Sequence, residues 1–171
     1  MRPLLPIAIL LFSGLLAACA GGVQQRPDPN ITAAQRMLSL DQTLESPSFE
    51  ANGGTIVDAT IDGYKTAVYV IGVVKGQVLT VQIESDTPNV YFDVLEPTLG
   101  GGSAKIFSTE AACRGTRIHA PSDTTYVIRP FLAKSLAERN ASVRYTLCIN
   151  RCEAGMTPAN CQWMRGNLQG I

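Results

Sequence analysis

From residue 55 onward, apolar and polar positions alternate with a period of two through much of the chain. In "TIVDATID", Val57, Ala59 and Ile61 alternate with Asp58, Thr60 and Asp62. In "GQVLTVQIES", Leu79, Val81 and Ile83 alternate with Thr80, Gln82 and Glu84. In "VRYTLCIN", Tyr145, Leu147 and Ile149 alternate with Arg144, Thr146 and Cys148. A strand turns successive side chains to opposite faces, so each run predicts a half-buried strand with one wet face. "TAVYVIGVV" is apolar on both faces and rich in β-branched residues, which predicts a more central strand. "NVYFDVLEP" and "TTYVIRPFL" are aromatic and β-branched as well. Turn-forming residues separate the runs: Asn52-Gly53-Gly54, Asp62-Gly63, Lys75-Gly76, Ser85 to Pro88, and Pro121-Ser122-Asp123. The glycine run in "LGGGS", Leu99 to Ser103, marks a mobile loop. "LAKSLAERNAS", Leu132 to Ser142, has room for a helical turn but lies between two strands and reads as a long hairpin loop. Short strands at near-regular spacing predict an all-β fold, an antiparallel β-sandwich of about seven to eight strands.

The N-terminal pattern is different. Met1-Arg2 is followed by "LLPIAILLFSGLL", which is almost wholly apolar, and then by Ala17, Ala18 and Cys19. A charged start, a short apolar run and a small-residue boundary predict a cleaved secretory signal over residues 1–18. A retained span needs about 20 apolar residues; this run is shorter and carries Pro6 and Gly14. The boundary Leu16-Ala17-Ala18-Cys19 resembles the lipobox of bacterial lipoproteins. That resemblance implies cleavage before Cys19 and acylation of its sulfur and amine, with Cys19 as the lipid attachment point. Ala20, rather than Asp, follows the cysteine, which implies the outer membrane. Residues 19–46 read as a tether. Within it Thr32 is a candidate cap for a short helix with Met37 and Leu40 on one face; a linker ordered only on contact is the other reading. Residues 47–171 are enough for one domain with one core.

With Cys19 set aside, Cys113, Cys148, Cys152 and Cys161 remain. An even number in an exported domain predicts two disulfides. Three pairings are open, and we favour Cys113–Cys148 with Cys152–Cys161. Zinc is disfavoured by the C-x3-C and C-x8-C spacings and by an oxidising compartment. The 14 basic and 14 acidic side chains balance. No basic stripe with interleaved aromatics points to nucleic acid. The single histidine, His119, has no nucleophile motif beside it. The carboxylates Asp58, Asp62, Glu84, Asp93 and Glu96 are scattered, as on solvated strand faces. No catalytic residue, metal ligand or cofactor is expected, and the chain reads as a binding protein rather than an enzyme.

Three segments together resemble a family: "IDGYKTAVYVIGVVKGQVLTVQIES", "NVYFDVLEP" and "APSDTTYVIRPFLAKSLAERNASVRYTLCI". They are similar to the periplasmic inhibitors of goose-type lysozyme. The shared frame is a Gly-Tyr turn, a Lys-Gly-Gln turn, a Tyr-Phe strand ending in Pro, a Tyr-x-Ile-Arg strand, a basic loop and a final Tyr-x-Leu-x-Ile strand. The resemblance implies that loops at one end of the sandwich plug the enzyme's substrate cleft. It implies Tyr64 and Lys134 as partner-binding residues. Thr66 stands where the family has a second Tyr, and Lys134 where it has an Arg. A lysine keeps the charge that an acidic cleft attracts but loses the bidentate fork. Arg129 alternates out of phase with Tyr126 and Ile128 and is expected in a surface ion pair. The expected protein is therefore a lipid-anchored outer-membrane lipoprotein, facing the periplasm or the cell surface, that binds lysozyme. The alternative is a glycan-binding or envelope-complex accessory module on the same fold.

Overall fold

The period-two runs form strands at the expected places. The computed structural model describes residues 30–51, 53–98, 100–110 and 114–153. Helix α1 (Ile31–Gln35) and strand β1 (Gln42–Glu45) come first. Then follow β2 (Gly54–Asp62), β3 (Thr66–Val73), β4 (Gln77–Ser85), β5 (Val90–Pro97), β6 (Ser103–Ser108), β7 (Gly115–His119) and β8 (Thr124–Leu132). Helix α2 (Lys134–Ala137) and β9 (Ser142–Glu153) end the described chain.

The strands form two sheets, β1-β3-β8-β5-β6 and β2-β9-β4-β7. One hydrophobic core takes residues from both: Tyr69, Ile71, Phe92, Val94 and Ile128 from the first sheet, and Leu79, Val81, Ile83, Leu147 and Ile149 from the second. Two core hydroxyls join across the sheets, Tyr69 to Tyr145, 2.8 Å apart. Burial pushes both phenols above their ordinary value. For Tyr145 the bond to Tyr69 adds to the rise, while for Tyr69 it offsets part of it. The protein is all-β, as the alternation predicts.

Four details depart from the sequence reading. The cap of α1 is Asn30, whose Oδ1 accepts from Ala33 N at 3.0 Å, rather than Thr32. The helix ends at Gln35, so its periodicity does not reach Leu40. Met37, Leu38 and Leu44 pack on the outer face of the first sheet against Val68, Val70 and Val127, and Leu40 is fully exposed. Strand β1 pairs with β3 in parallel, Gln42 opposite Thr66. This pairing is possible because β2 intervenes in the other sheet and gives the chain length to return in the same direction. A helical turn, α2, stands where a hairpin loop was expected, and the strand β6 follows the glycine run. Finally, the face of the second sheet turned away from the core is not uniformly wet, since Thr80, Gln82, Cys148 and Asn150 are buried there. Alternation encodes which face a side chain takes, but not what else in the chain lies over that face.

Candidate partner-binding end

Tyr64 occupies the second position of a two-residue turn between β2 and β3. Asp62 N donates to Lys65 O at 3.0 Å, and Lys65 N donates to Asp62 O at 2.9 Å. Gly63 takes the first position with φ +63, a left-handed conformation that favours glycine. Space requires glycine there too, because a Cβ would stand 2.9 Å from Asn140 Oδ1 and 3.2 Å from Ala137 O. Gly63 N donates to Ala141 O at 2.9 Å. The turn is thus clamped against α2 and its C-terminal cap, and Tyr64 projects from it about half exposed.

Lys134 begins α2 on the other side of that clamp. Ala133 N donates to Asn89 O, which fixes the helix start. Ala137 is buried and Leu136 packs on the core. The helix closes with Ala141 N donating to Leu136 O and Asn140 N donating to Ala137 O, while Asn140 supplies the left-handed residue at φ 52. This is the Schellman pattern, with Asn in the place most often taken by glycine. One helical turn is too short to hold itself; these anchors hold it. Arg139 on the same loop donates Nε to Ser135 O at 2.9 Å, a brace the sequence reading did not single out. Lys134 Nζ lies 3.7 Å from Glu138 Oε1, and both side chains are largely exposed. Such a pair contributes about 0–1 kcal/mol and opens readily.

Strands β3 and β8 pair antiparallel, Tyr69 opposite Ile128. The start of β3 and the end of β8 therefore fall at one end of the first sheet, which brings Tyr64 and Lys134 together. Both line one depression of about 530 Å³. Thr66, at the position where the resemblance has a Tyr, is buried and donates its hydroxyl to Ala67 O. It lines the same depression but, unlike Tyr64, does not project into solvent.

The same depression is lined by Asp93, Arg129 and Lys105. Arg129 forms an ion pair, as expected, but its partner is a buried carboxylate. Arg129 Nη2 donates to Asp93 Oδ2 at 2.6 Å, and Lys105 Nζ stands 3.2 Å from the same oxygen. Asp93 Oδ1 is buried and accepts no hydrogen bond. Sequence reading counted Asp93 among solvated strand charges. Phe92 and Val94 beside it face the core from the opposite side of the strand, so the local pattern carried no signal of its burial.

Of the other titratable candidates, Asp58 and Glu84 line one groove on the second sheet, and His119 is not among its lining residues. His119 is exposed at the end of β7. Asp58 accepts from Thr146 Oγ1 at 2.6 Å, and Glu96 from Thr124 Oγ1 at 2.5 Å. Among the described residues no cluster of three or more His, Cys, Asp or Glu side chains is placed to hold a metal ion. Cys148 is fully buried on β9, opposite Ile56 and Gln82. Cys152 is half-buried one turn of the pleat beyond Asn150. Cys19, Cys113 and Cys161 lie outside the described residues.

The class these features define is a small all-β protein of two sheets around one core, with a clamped turn and a helix start at one end. Solved structures similar to it are PliG proteins. Aeromonas hydrophila PliG, a periplasmic inhibitor of g-type lysozyme, superposes with a TM-score of 0.57 at 21% identity, covering 65% of this chain and 97% of that one. Salmonella Typhimurium PliG, with the same described role, gives a TM-score of 0.50 at 16% identity, covering 64% of this chain and 97% of that one. A PliG mutant from Escherichia coli also gives 0.50 at 16% identity, with 65% and 98% covered. At these identities the likeness is one of fold. No protein-family model matches the chain, and no curated protein matches it by sequence.

Proposed function

We propose that this protein is a periplasmic inhibitor of goose-type lysozyme, with its two sheets forming a β-sandwich whose Tyr64–Lys134 end enters the enzyme's substrate cleft. The observation that carries the reading is the convergence of Tyr64 and Lys134 on one depression, with their loops joined by the hydrogen bond from Gly63 N to Ala141 O. The fold shared with inhibitors supports it. A cleft that cleaves glycosidic bonds contains an acidic residue, and a projecting lysine pairs with such a group after both lose water. Inhibition is then stoichiometric occlusion, with no chemistry performed by this chain. Cys19 is the proposed lipid anchor in the outer membrane, and Cys113–Cys148 and Cys152–Cys161 are the proposed disulfides.

An inhibition titration of a goose-type lysozyme tests the reading. Truncating one member of a desolvated charge pair costs about 2–5 kcal/mol. Lys134→Ala should therefore raise the inhibition constant at least about tenfold. Lys134→Arg should hold or improve it by restoring the planar fork. A wild-type chain that fails to inhibit rules the reading out, and a Lys134→Ala variant equal to wild type moves the contact elsewhere.

A second reading, a glycan-binding module, rests on a groove of about 860 Å³ on the outer face of the second sheet, lined by Asp58, Glu84, Arg144 and Gln82. Gln82 is buried there with Oε1 lacking a partner. Its one aromatic lining residue, Tyr145, is committed to the core, so this groove offers no aromatic platform for a sugar ring. Retention on insoluble peptidoglycan, abolished by Glu84→Ala, would favour this reading over inhibition.

A further inference from the structure

Leu40 is fully exposed, although its neighbours Leu38 and Leu44 are packed on the first sheet. Its backbone is not loose. Gln42 N donates to Ser39 O at 3.1 Å, and Ser39 N donates to Gln42 Oε1 at 3.1 Å. On the far side of the turn, Thr66 N donates to Asp41 O at 3.1 Å. A large aliphatic side chain is therefore held out into water on a turn that is tied to its own next strand and to β3. Scattered exposed leucines are ordinary on protein surfaces. This one is set apart by where the turn sits.

The parallel register places it. Gln42 stands opposite Thr66. Leu40 itself lines an adjoining depression with Asp62 and Lys65, the two residues that bracket Gly63-Tyr64, so the two turns are neighbours. Ser39, Asp41 and Gln42 line the same depression as Tyr64 and Lys134. One end of the molecule thus presents a leucine on one braced turn, and a tyrosine and a lysine on a turn and a helix that brace each other.

We infer that Leu40 is a third contact of this end, an apolar anchor that docks against the non-polar wall of a protein cleft while Lys134 meets an acidic group inside it. The inference rests on the inhibitor reading and adds the turn 39–42 to it. The chemistry favours a protein cleft over a lipid surface. In the depression that Leu40 lines, Asp41, Glu45 and Asp62 outnumber Lys65, so an anionic bilayer would repel this corner. Rigid support matters as well, because an anchor on a braced backbone loses less freedom on docking.

The test is an inhibition titration of a goose-type lysozyme with the full chain as wild type, Leu40→Ser and Leu40→Met, together with a thermal melt of each. Leu40→Ser should weaken inhibition about tenfold or more and leave Tm unchanged, since Leu40 supports no packing. Leu40→Met, which keeps the apolar bulk, should restore inhibition. If wild type inhibits and Leu40→Ser equals it, the turn lies outside the contact and this inference fails while the inhibitor reading stands. If wild type does not inhibit, both fall. A lowered Tm that accounts for the weaker inhibition, or failure of Leu40→Met to rescue, overturns the anchoring role. A Cys19→Ala chain that binds phosphatidylethanolamine–phosphatidylglycerol vesicles only while Leu40 is present, with inhibition unaffected by Leu40→Ser, assigns the side chain to a membrane and overturns it too.

Discussion

Tyr145 and Tyr69 show how much one pair of side chains can govern the response of the fold to pH. Their hydroxyls meet inside the core, 2.8 Å apart, and burial keeps both protonated above the value near 10 at which exposed tyrosines ionise. Above that pH the unfolded chain releases these protons and the folded chain keeps them. Stability is therefore fully present below about pH 10 and falls as pH rises further, by up to about 1.4 kcal/mol per pH unit for each phenol held neutral. Urea unfolding at intervals from pH 8 to 11.5 should show a flat region followed by this decline. Stability that stays level to pH 11.5 would refute the assignment. Asp93 acts at the same scale. Its Oδ2 holds both Arg129 and Lys105 over the depression. Asp93→Ala should cost about 1–3 kcal/mol, the penalty for removing the acceptor of a partly buried donor, read as a lower urea midpoint.

At the scale of elements, the proposed binding end depends on short pieces that cannot stand alone. The helix α2 is a single turn, and the Gly63–Tyr64 turn bridges two different sheets. Each is stabilised by the other through Gly63 N to Ala141 O and the close approach of Gly63 to Asn140 and Ala137. Gly63→Ala would meet both an unfavourable φ and a steric clash. The expected cost is about 1–3 kcal/mol, seen as a Tm lower by several degrees. Inhibition should weaken beyond what that loss of stability explains, because Tyr64 and Lys134 would both shift. Retention of wild-type Tm and inhibition by Gly63→Ala would show that the clamp is unimportant. The strand β1 adds the third support, and its parallel pairing with β3 aligns the 39–42 turn with the Tyr64 turn.

For the whole molecule, the proposed anchor and disulfides would set where the proposed inhibitor works. A lipoprotein anchored by several acyl chains stays at the membrane, since each buried methylene contributes about 0.8 kcal/mol and stable attachment takes more than one chain. The intact mass of the chain recovered from membranes reads both features at once. It should match a chain beginning at Cys19 with its acyl groups and with four hydrogens lost to two disulfides. An unmodified mass, or four thiols that react in the denatured and unreduced chain, would contradict them. Full reduction should lower Tm markedly, as a disulfide commonly contributes about 2–4 kcal/mol. Such cross-links suit a small domain with a limited core, such as the one built here around Phe92, Leu147 and Ile149.

The all-β class was legible in the sequence, because the period of two in "TIVDATID", "TVQIES" and "VRYTLCIN" is imposed by strand geometry itself. The turn at Gly63-Tyr64 was legible for the same local reason, and so was the end of β8 before Lys134. Their meeting at one end needed only the assumption that β3 and β8 run antiparallel, and they do. Other features depend on partners far along the chain, and no local pattern carries them. The parallel return of β1 brings Leu40 beside Tyr64, yet Leu40 in isolation reads as one face of a short helix. Asp93 reads as a surface charge until β6 and β8 bring Lys105 and Arg129 to it. Thr80 and Gln82 alternate as if wet and are buried. Alternation and turn chemistry act between neighbours in sequence, so the chain alone determined the strands and their turns. Register and coverage arise between segments far apart in the chain, such as Gly54 and Asn150, so only the tertiary structure decided which side chains share that end.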